Sequence, residues 1–227
     1  MRAHLAALVL VAAFAAPASA HETAPRADAA SFALPEPGSY ELPPIAHVAD
    51  FVLLDEAGAR ARLLDLAADQ VAVVSFVYTR CGDGRGCPAA LAVLQRLDRA
   101  VAADPTLAAR VRISTVSFDP AHDTPAEMAA LRRALAPRSK WRFLTAGTPS
   151  AIAPVLAAFG QDALPLVGED ERALGLYRHV LKVFLVDARG AVRNVYSSGF
   201  LSPELLLVDA RTVLQSGVPT LAGATAR

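Results

Sequence analysis

Cysteine is scarce in this chain: two among 227 residues, at positions 81 and 87. That excludes a small disulfide-stapled scaffold and a four-cysteine zinc site. It leaves room for one redox pair, or for part of one metal site. An excess of one charge is also lacking, since 22 basic side chains meet 22 acidic ones. A nucleic-acid binder needs a basic excess to neutralise phosphates, so no nucleic-acid partner is expected. Beyond the first twenty residues no apolar run is long enough to span a membrane. Gly-x-Ser-x-Gly, His-Glu-x-x-His, P-loop and Gly-x-Gly-x-x-Gly patterns are all missing. Serine hydrolase, zincin and nucleotide-binding readings therefore lack support. Hydrophobic residues, by contrast, make up 54% of the chain and charged ones 19%. That is enough for a sizeable core in a chain of one-domain length.

Arg2 and His4 precede an apolar run over 5–16, which Pro17 breaks before Ala18, Ser19 and Ala20. A basic start, a short apolar stretch and small residues are the order of a secretory signal. The run is shorter than the roughly 20 residues a spanning helix needs. Residues 1–20 are thus expected to be a signal peptide, cleaved to leave a soluble protein that is periplasmic or otherwise exported. Disulfides are permitted there. Residues 21–44, rich in Ala, Pro, Ser and acidic side chains, read as a flexible leader. The folded domain is expected over 45–216, with a tail at 217–227.

Within that domain strands and helices alternate. Residues 51–54 and 60–64 read as a hairpin about Gly58. Residues 71–78 are continuously apolar and β-branched, the pattern of a strand buried on both faces. Leu91, Leu94, Leu97 and Val101 recur at helical spacing after Pro88. Strands follow at 111–118 and 141–145. Thr124-Pro-Ala-Glu127 predicts a capping box, and Thr148-Pro149 opens a helix through Phe159. Residues 160–178 look like an irregular insertion. A strand at 180–186, a turn at 187–190, its antiparallel partner at 191–196 and a helix from Ser202 complete the pattern. This is an α/β sandwich, and both cysteines follow its most buried strand, where chemistry collects in such sheets.

The surrounding sequence is Tyr78-Thr-Arg-Cys81-Gly-Asp-Gly-Arg-Gly-Cys87-Pro88. Cys87 is expected at the N-cap of the following helix, where unpaired N–H groups and the helix dipole favour a thiolate. Arg80 and Arg85 add positive charge, and Gly82, Gly84 and Gly86 let the loop bend. A structural disulfide, a catalytic redox pair and a metal site all remain open to such a pair.

The order of elements and this cluster resemble the thioredoxin superfamily, although the Trp-Cys-x-x-Cys of an ordinary thioredoxin is missing. The chain is similar in particular to the Sco (SenC) family of copper-handling proteins. The matching pieces are Val73-Val-Ser-Phe-Val-Tyr-Thr-Arg-Cys81, Cys87-Pro88 and Ser117-Phe-Asp-Pro-Ala-His-Asp-Thr-Pro125. Trp141-Arg-Phe-Leu-Thr145, His179 and Phe184-Leu-Val-Asp-Ala-Arg-Gly190 follow, so that the resemblance covers about 51–214. It implies a thioredoxin-like α/β fold with a central mixed sheet flanked by helices. It implies copper, Cu(I) or Cu(II), bound by Cys81, Cys87 and His179. His179 is expected to start the strand beside the cysteine strand. The implied role is a copper chaperone, with the CuA centre of a cytochrome c oxidase subunit, or another copper-accepting protein, as partner. The chain departs from the family pattern in having five residues between the cysteines instead of three. A longer loop still allows closure on a metal, or it turns Cys81 and Cys87 into a catalytic thiol–disulfide pair without copper.

Asp119 matches a family position in the loop facing the cysteines and is assigned a supporting role. His122 and Asp123 read as strand-end polarity before a helix. His21, first after the expected cleavage, offers an amine and an imidazole to copper. His47 reads as surface. Met128 would be the one methionine left after cleavage, which argues against a methionine-rich copper carrier.

Overall fold

An unbroken apolar, β-branched run can be buried only as a central strand, and residues Val71–Val77 form one, buried along its whole length. The computed structural model describes residues 33–82, 86–168 and 172–216. In chain order the elements are β1 (Ala46–His47), β2 (Val52–Leu54), β3 (Arg60–Arg62), β4 (Val71–Val77), α1 (Cys87–Ala103), α2 (Pro105–Arg110) and β5 (Val111–Ser117). Then come α3 (Pro125–Leu135), β6 (Trp141–Leu144), α4 (Pro149–Ala158), β7 (Ala163–Val167) and β8 (Ala173–His179). The chain closes with β9 (Val183–Asp187), β10 (Ala191–Tyr196) and α5 (Pro203–Ser216).

Six strands make one mixed sheet in the order β1-β10-β9-β4-β5-β6. β4 pairs in parallel with β5 and antiparallel with β9. Side chains alternate across a strand, so β4 feeds two cores. Val71 and Val73 pack with Leu94, Leu97 and Val101 of α1 and with Leu206, Ala210 and Val213 of α5. Ala72, Val74 and Phe76 pack on the other face with Ile152 and Val155 of α4 and Leu53 of β2. This is the thioredoxin-like architecture, a central mixed sheet flanked by helices.

The structure departs from the sequence reading at several places. Gly86, not Cys87, is the N-cap of α1, so Cys87 is its first helical residue. Thr124 stands at the N-cap of α3 with Pro125 behind it, but its hydroxyl makes no capping hydrogen bond. The short helix α2 was not anticipated; the Asp104 carboxylate caps it by accepting from Thr106 N and Leu107 N. The apparent insertion is an antiparallel hairpin, β7–β8, that forms a two-stranded sheet of its own. Consequently His179 ends β8 rather than opening the central strand, which begins at Val183.

Residues 34–44 are not a loose leader either. Gly38 N donates to Thr212 Oγ1 at 3.0 Å, and Arg193 Nε donates to Leu42 O at 2.5 Å. The Tyr40 hydroxyl donates to Asp209, a carboxylate that also accepts from Asn194 Nδ2 at 2.8 Å and Tyr196 Oη at 2.6 Å. Three donors compensate the desolvation of this buried side chain. β1 then pairs with β10, leaving His47 exposed as expected. From Leu34 onward the described residues form one compact unit. The expected signal peptide, residues 21–32 of the leader with His21, and the tail lie outside the described residues. Among those described, no helix is long and apolar enough to cross a membrane.

Burial and Asp209 push the Tyr40 hydroxyl up from the ordinary 10.0 to about 12. The folded state therefore keeps a proton that the unfolded chain releases first, and this anchor's stabilisation is complete below pH 10 and declines toward pH 12. Tyr40→Phe should cost about 1 kcal/mol in urea denaturation at neutral pH and speed amide exchange over 34–44. Unchanged stability and exchange would show that the segment is held by other contacts.

Candidate metal centre

β4 ends at Val77, and the next four residues carry Tyr78 and Cys81 into a loop. Two aspartates from the turn after β5 fix that loop. Asp123, fully buried, accepts from Thr79 N at 3.0 Å, from the Thr79 hydroxyl and from Ser117 Oγ at 2.5 Å. Asp119, 1% exposed, pairs with Arg80 Nη2 at 2.7 Å. Cys81 N donates back to Tyr78 O at 3.3 Å. The Arg80 charge is thus engaged by Asp119 rather than aimed at a sulfur. Arg85 and Gly84 lie outside the described residues.

Cys87 sits at the first turn of α1 and is 1% exposed, whereas Cys81 is half-buried. No disulfide joins the two. The sequence suggested a low-pKa thiol at Cys87, and the structure reverses this. Burial pushes the Cys87 thiol up to about 12, the nearby Cys81 adds to the rise, and backbone hydrogen bonds offset only part of it. The magnitudes explain the outcome. A helix N-terminus contributes about 0.3–1 kcal/mol to an anion, under one pKa unit. Desolvation of a buried thiolate outweighs that.

His179 closes β8, opposite Ala163. Its ring lies against Phe118 and Tyr78, with centroids 5.1 and 5.6 Å away. Tyr177, on the same face of β8, packs edge-on against Tyr78 and Phe118, each at 5.3 Å. This aromatic wall directs the imidazole toward the cysteines. His179 Nε2 lies 4.0 Å from Cys87 Sγ, and the ligand atoms of Cys81, Cys87 and His179 all lie within 4.8 Å of one another. Metal bonds of roughly 2.0–2.3 Å place trigonal donors about 3.5–4 Å apart, so a small contraction closes the set on one ion. Two sulfurs and one imidazole fit a soft metal. The five-residue spacing does not keep the sulfurs apart. Tyr78, Cys81, Tyr177, His179 and Val180 line an open cleft of about 700 Å³ that gives access to the site.

All three residues singled out as ligands meet here, and Asp119 and Asp123 stand behind the Cys81 loop. His122 does not join the group of metal-ligand type, which comprises Cys81, Cys87 and His179 among the described residues. Tyr177 and Phe118 were not picked out from sequence. The alternation of Gly175, Tyr177 and His179 on one face of a strand was the available signal.

A central mixed sheet with one cysteine after its buried strand, a second at the start of the next helix and a histidine facing them defines a thioredoxin-like protein with a cluster of two thiols and an imidazole. The SCO1/SenC family profile matches residues 41–215, and the chain belongs to that family. Among solved structures it is similar to the apo Sco1 protein from Thermus thermophilus, with 26% identity, a TM-score of 0.61, and coverage of 82% of this chain and 98% of that one. ScoI of Bradyrhizobium japonicum with copper bound shares the fold at 24% identity and a TM-score of 0.57, over 76% and 100% of the two chains. BsSco, described as a member of the Sco family of cytochrome c oxidase assembly proteins and as having a disulfide switch, shares it at 24% identity and 0.56, over 80% and 97%. A search of curated proteins finds no match.

In the reduced, metal-free protein at pH 8, iodoacetamide should label Cys81 about tenfold or more faster than Cys87, as read by peptide mass spectrometry. Equal rates would contradict the burial of the Cys87 thiol.

Proposed function

We propose that this chain is an exported copper chaperone that holds copper between Cys81, Cys87 and His179 and passes it to a copper enzyme. The observation that carries this reading is the convergence of two sulfurs and one imidazole nitrogen within 4.8 Å, with Cys81 and His179 lining an open cleft. Thiolates select Cu(I), and two sulfurs with an imidazole also suit Cu(II). Family membership and the copper-bound Bradyrhizobium relative support copper as the cargo. The description of BsSco supports cytochrome c oxidase assembly as the setting, and the CuA centre of an oxidase subunit as the recipient.

In this reading the residues divide the work. Cys87 is the buried anchor, with its thiol proton displaced by the metal on loading. Cys81 and His179 line the cleft, so incoming ligands of an acceptor replace them first. Three coordination leaves room for that exchange. The signal-like segment 1–20 supports export to the periplasm.

A second reading has a specific observation behind it: two cysteines side by side, Cys81 half-buried and Cys87 buried. Here the Cys81 thiolate would attack a partner disulfide and release one partner thiolate. Cys87, deprotonated in the step, would then displace the second, leaving a Cys81–Cys87 disulfide and a reduced partner. This order reverses the one read from the helix position alone.

Anaerobic Cu(I) titration of the reduced protein tests the first reading. One equivalent should bind, Cys81→Ser or Cys87→Ser should abolish stoichiometric binding, and His179→Ala should weaken it by more than about tenfold. A stoichiometric site that survives loss of both cysteines would sink it. A mixed disulfide trapped by Cys87→Ser, with no copper bound by wild type and no effect of His179→Ala, would instead establish the second.

A further inference from the structure

The geometry points to Asp119 as the positioning residue that sets the distance between the two halves of the metal site. Its two carboxylate oxygens serve different segments. Oδ2 accepts from Arg80 Nη2 at 2.7 Å, and Arg80 adjoins Cys81. Oδ1 accepts from the Tyr177 hydroxyl at 2.9 Å, and Tyr177 stands two residues before His179 on the same face of β8. One buried carboxylate therefore ties the sulfur loop to the imidazole strand.

The topology leaves the angle of β8 to contacts of this kind. The β7–β8 hairpin belongs to its own two-stranded sheet, so ladder hydrogen bonds to the central sheet do not set its angle. Its root is fixed from elsewhere: Gln161 Nε2 donates to Val180 O at 2.9 Å, and Lys182 Nζ to Gly160 O at 2.5 Å. Beyond the root, β8 meets the domain through the Tyr177 and His179 rings against Tyr78 and Phe118, the Tyr78 side chain on the Tyr177 backbone, the Tyr177–Asp119 bond and the crossing of Arg80 over Gly175. A Cβ at Gly175, whose φ is +69°, would meet Arg80 Nη1 at 2.5 Å. Arg80 can reach Asp119 along this path because residue 175 has no side chain. Removing the Tyr177 hydroxyl would leave the ring in its aromatic contacts and the root clamped. It would release the one directional bond from β8 to Asp119. The aromatic packing alone then holds β8 at this point, and His179, two residues on, is set less sharply against the sulfurs.

This inference rests on the copper reading for one of its two readouts and is independent of it for the other. The variants are Tyr177→Phe, His179→Ala and the double variant, in the whole protein. In the reduced, metal-free state, hydrogen exchange of the 173–179 amides should speed up about five- to tenfold in Tyr177→Phe, with β4 and β5 unchanged. Cu(I) affinity, measured against a chromophoric chelator, should fall about tenfold in Tyr177→Phe and show no additional loss when His179 is already alanine. Unchanged exchange over 173–179 overturns the proposal, and so does acceleration spread equally over the whole domain. An affinity loss that persists at full size in the His179→Ala background overturns it as well, because the hydroxyl would then not act through the imidazole. If wild type binds no copper, the chaperone reading falls and the exchange pattern alone decides the role of Asp119.

Discussion

The burial of β4 on both faces is the constraint on which the rest of the molecule hangs. A strand with helices α1 and α5 below it, α4 above it and a neighbour on each edge cannot shift register without moving every side chain to the wrong face. Its C-terminal end is thus the most rigid point available, and Tyr78 and Cys81 follow directly from it. α1 begins where the loop returns, which places Cys87 against the same end. The last turn of that loop before Cys81 is held by Asp119 and Asp123, both from the turn that follows the adjacent parallel strand. The ordered pairing of β4 with β5 is therefore also what delivers the carboxylates that steady the sulfurs.

Desolvation, more than the helix dipole, sets the chemistry of the pair. A buried Cys87 keeps its proton at neutral pH, so the metal-free site is quiet at depth and accessible at Cys81. For the proposed function this asymmetry is useful. The deep ligand ionises when a metal arrives to replace the proton, and the shallow ligands are the ones an acceptor meets. The aromatic wall of Tyr78, Phe118 and Tyr177 covers the imidazole on one side and leaves the side toward the sulfurs open.

The central sheet and the main helices are legible in the sequence because their signals are local and strong. Continuous β-branched runs mark β4 and β5, and helical spacing of leucines marks α1. The cluster of Cys81, Cys87 and His179 is legible through the resemblance, which brought His179 to the cysteines across some ninety residues of chain. The way His179 arrives is not legible. β7–β8 turns Leu164, Leu166, Leu174 and Leu176 to solvent and keeps Gly175, Tyr177 and His179 inward, so its hydrophobic pattern is inverted. An inverted pattern reads as irregular chain. The anchoring of 34–44 is equally hidden, because it depends on Tyr40 meeting Asp209, 169 positions away. The raised pKa of Cys87 is invisible for a similar reason: position on a helix is written in sequence, while depth of burial is a property of the assembled core.

X-ray absorption at the copper edge of the Cu(I)-loaded protein tests the central claim most directly, since it reports the donor atoms themselves. The account predicts one copper with two sulfur neighbours and one imidazole nitrogen, the nitrogen contribution vanishing in His179→Ala. A copper surrounded only by nitrogen and oxygen, or a shell unchanged by His179→Ala, would contradict it.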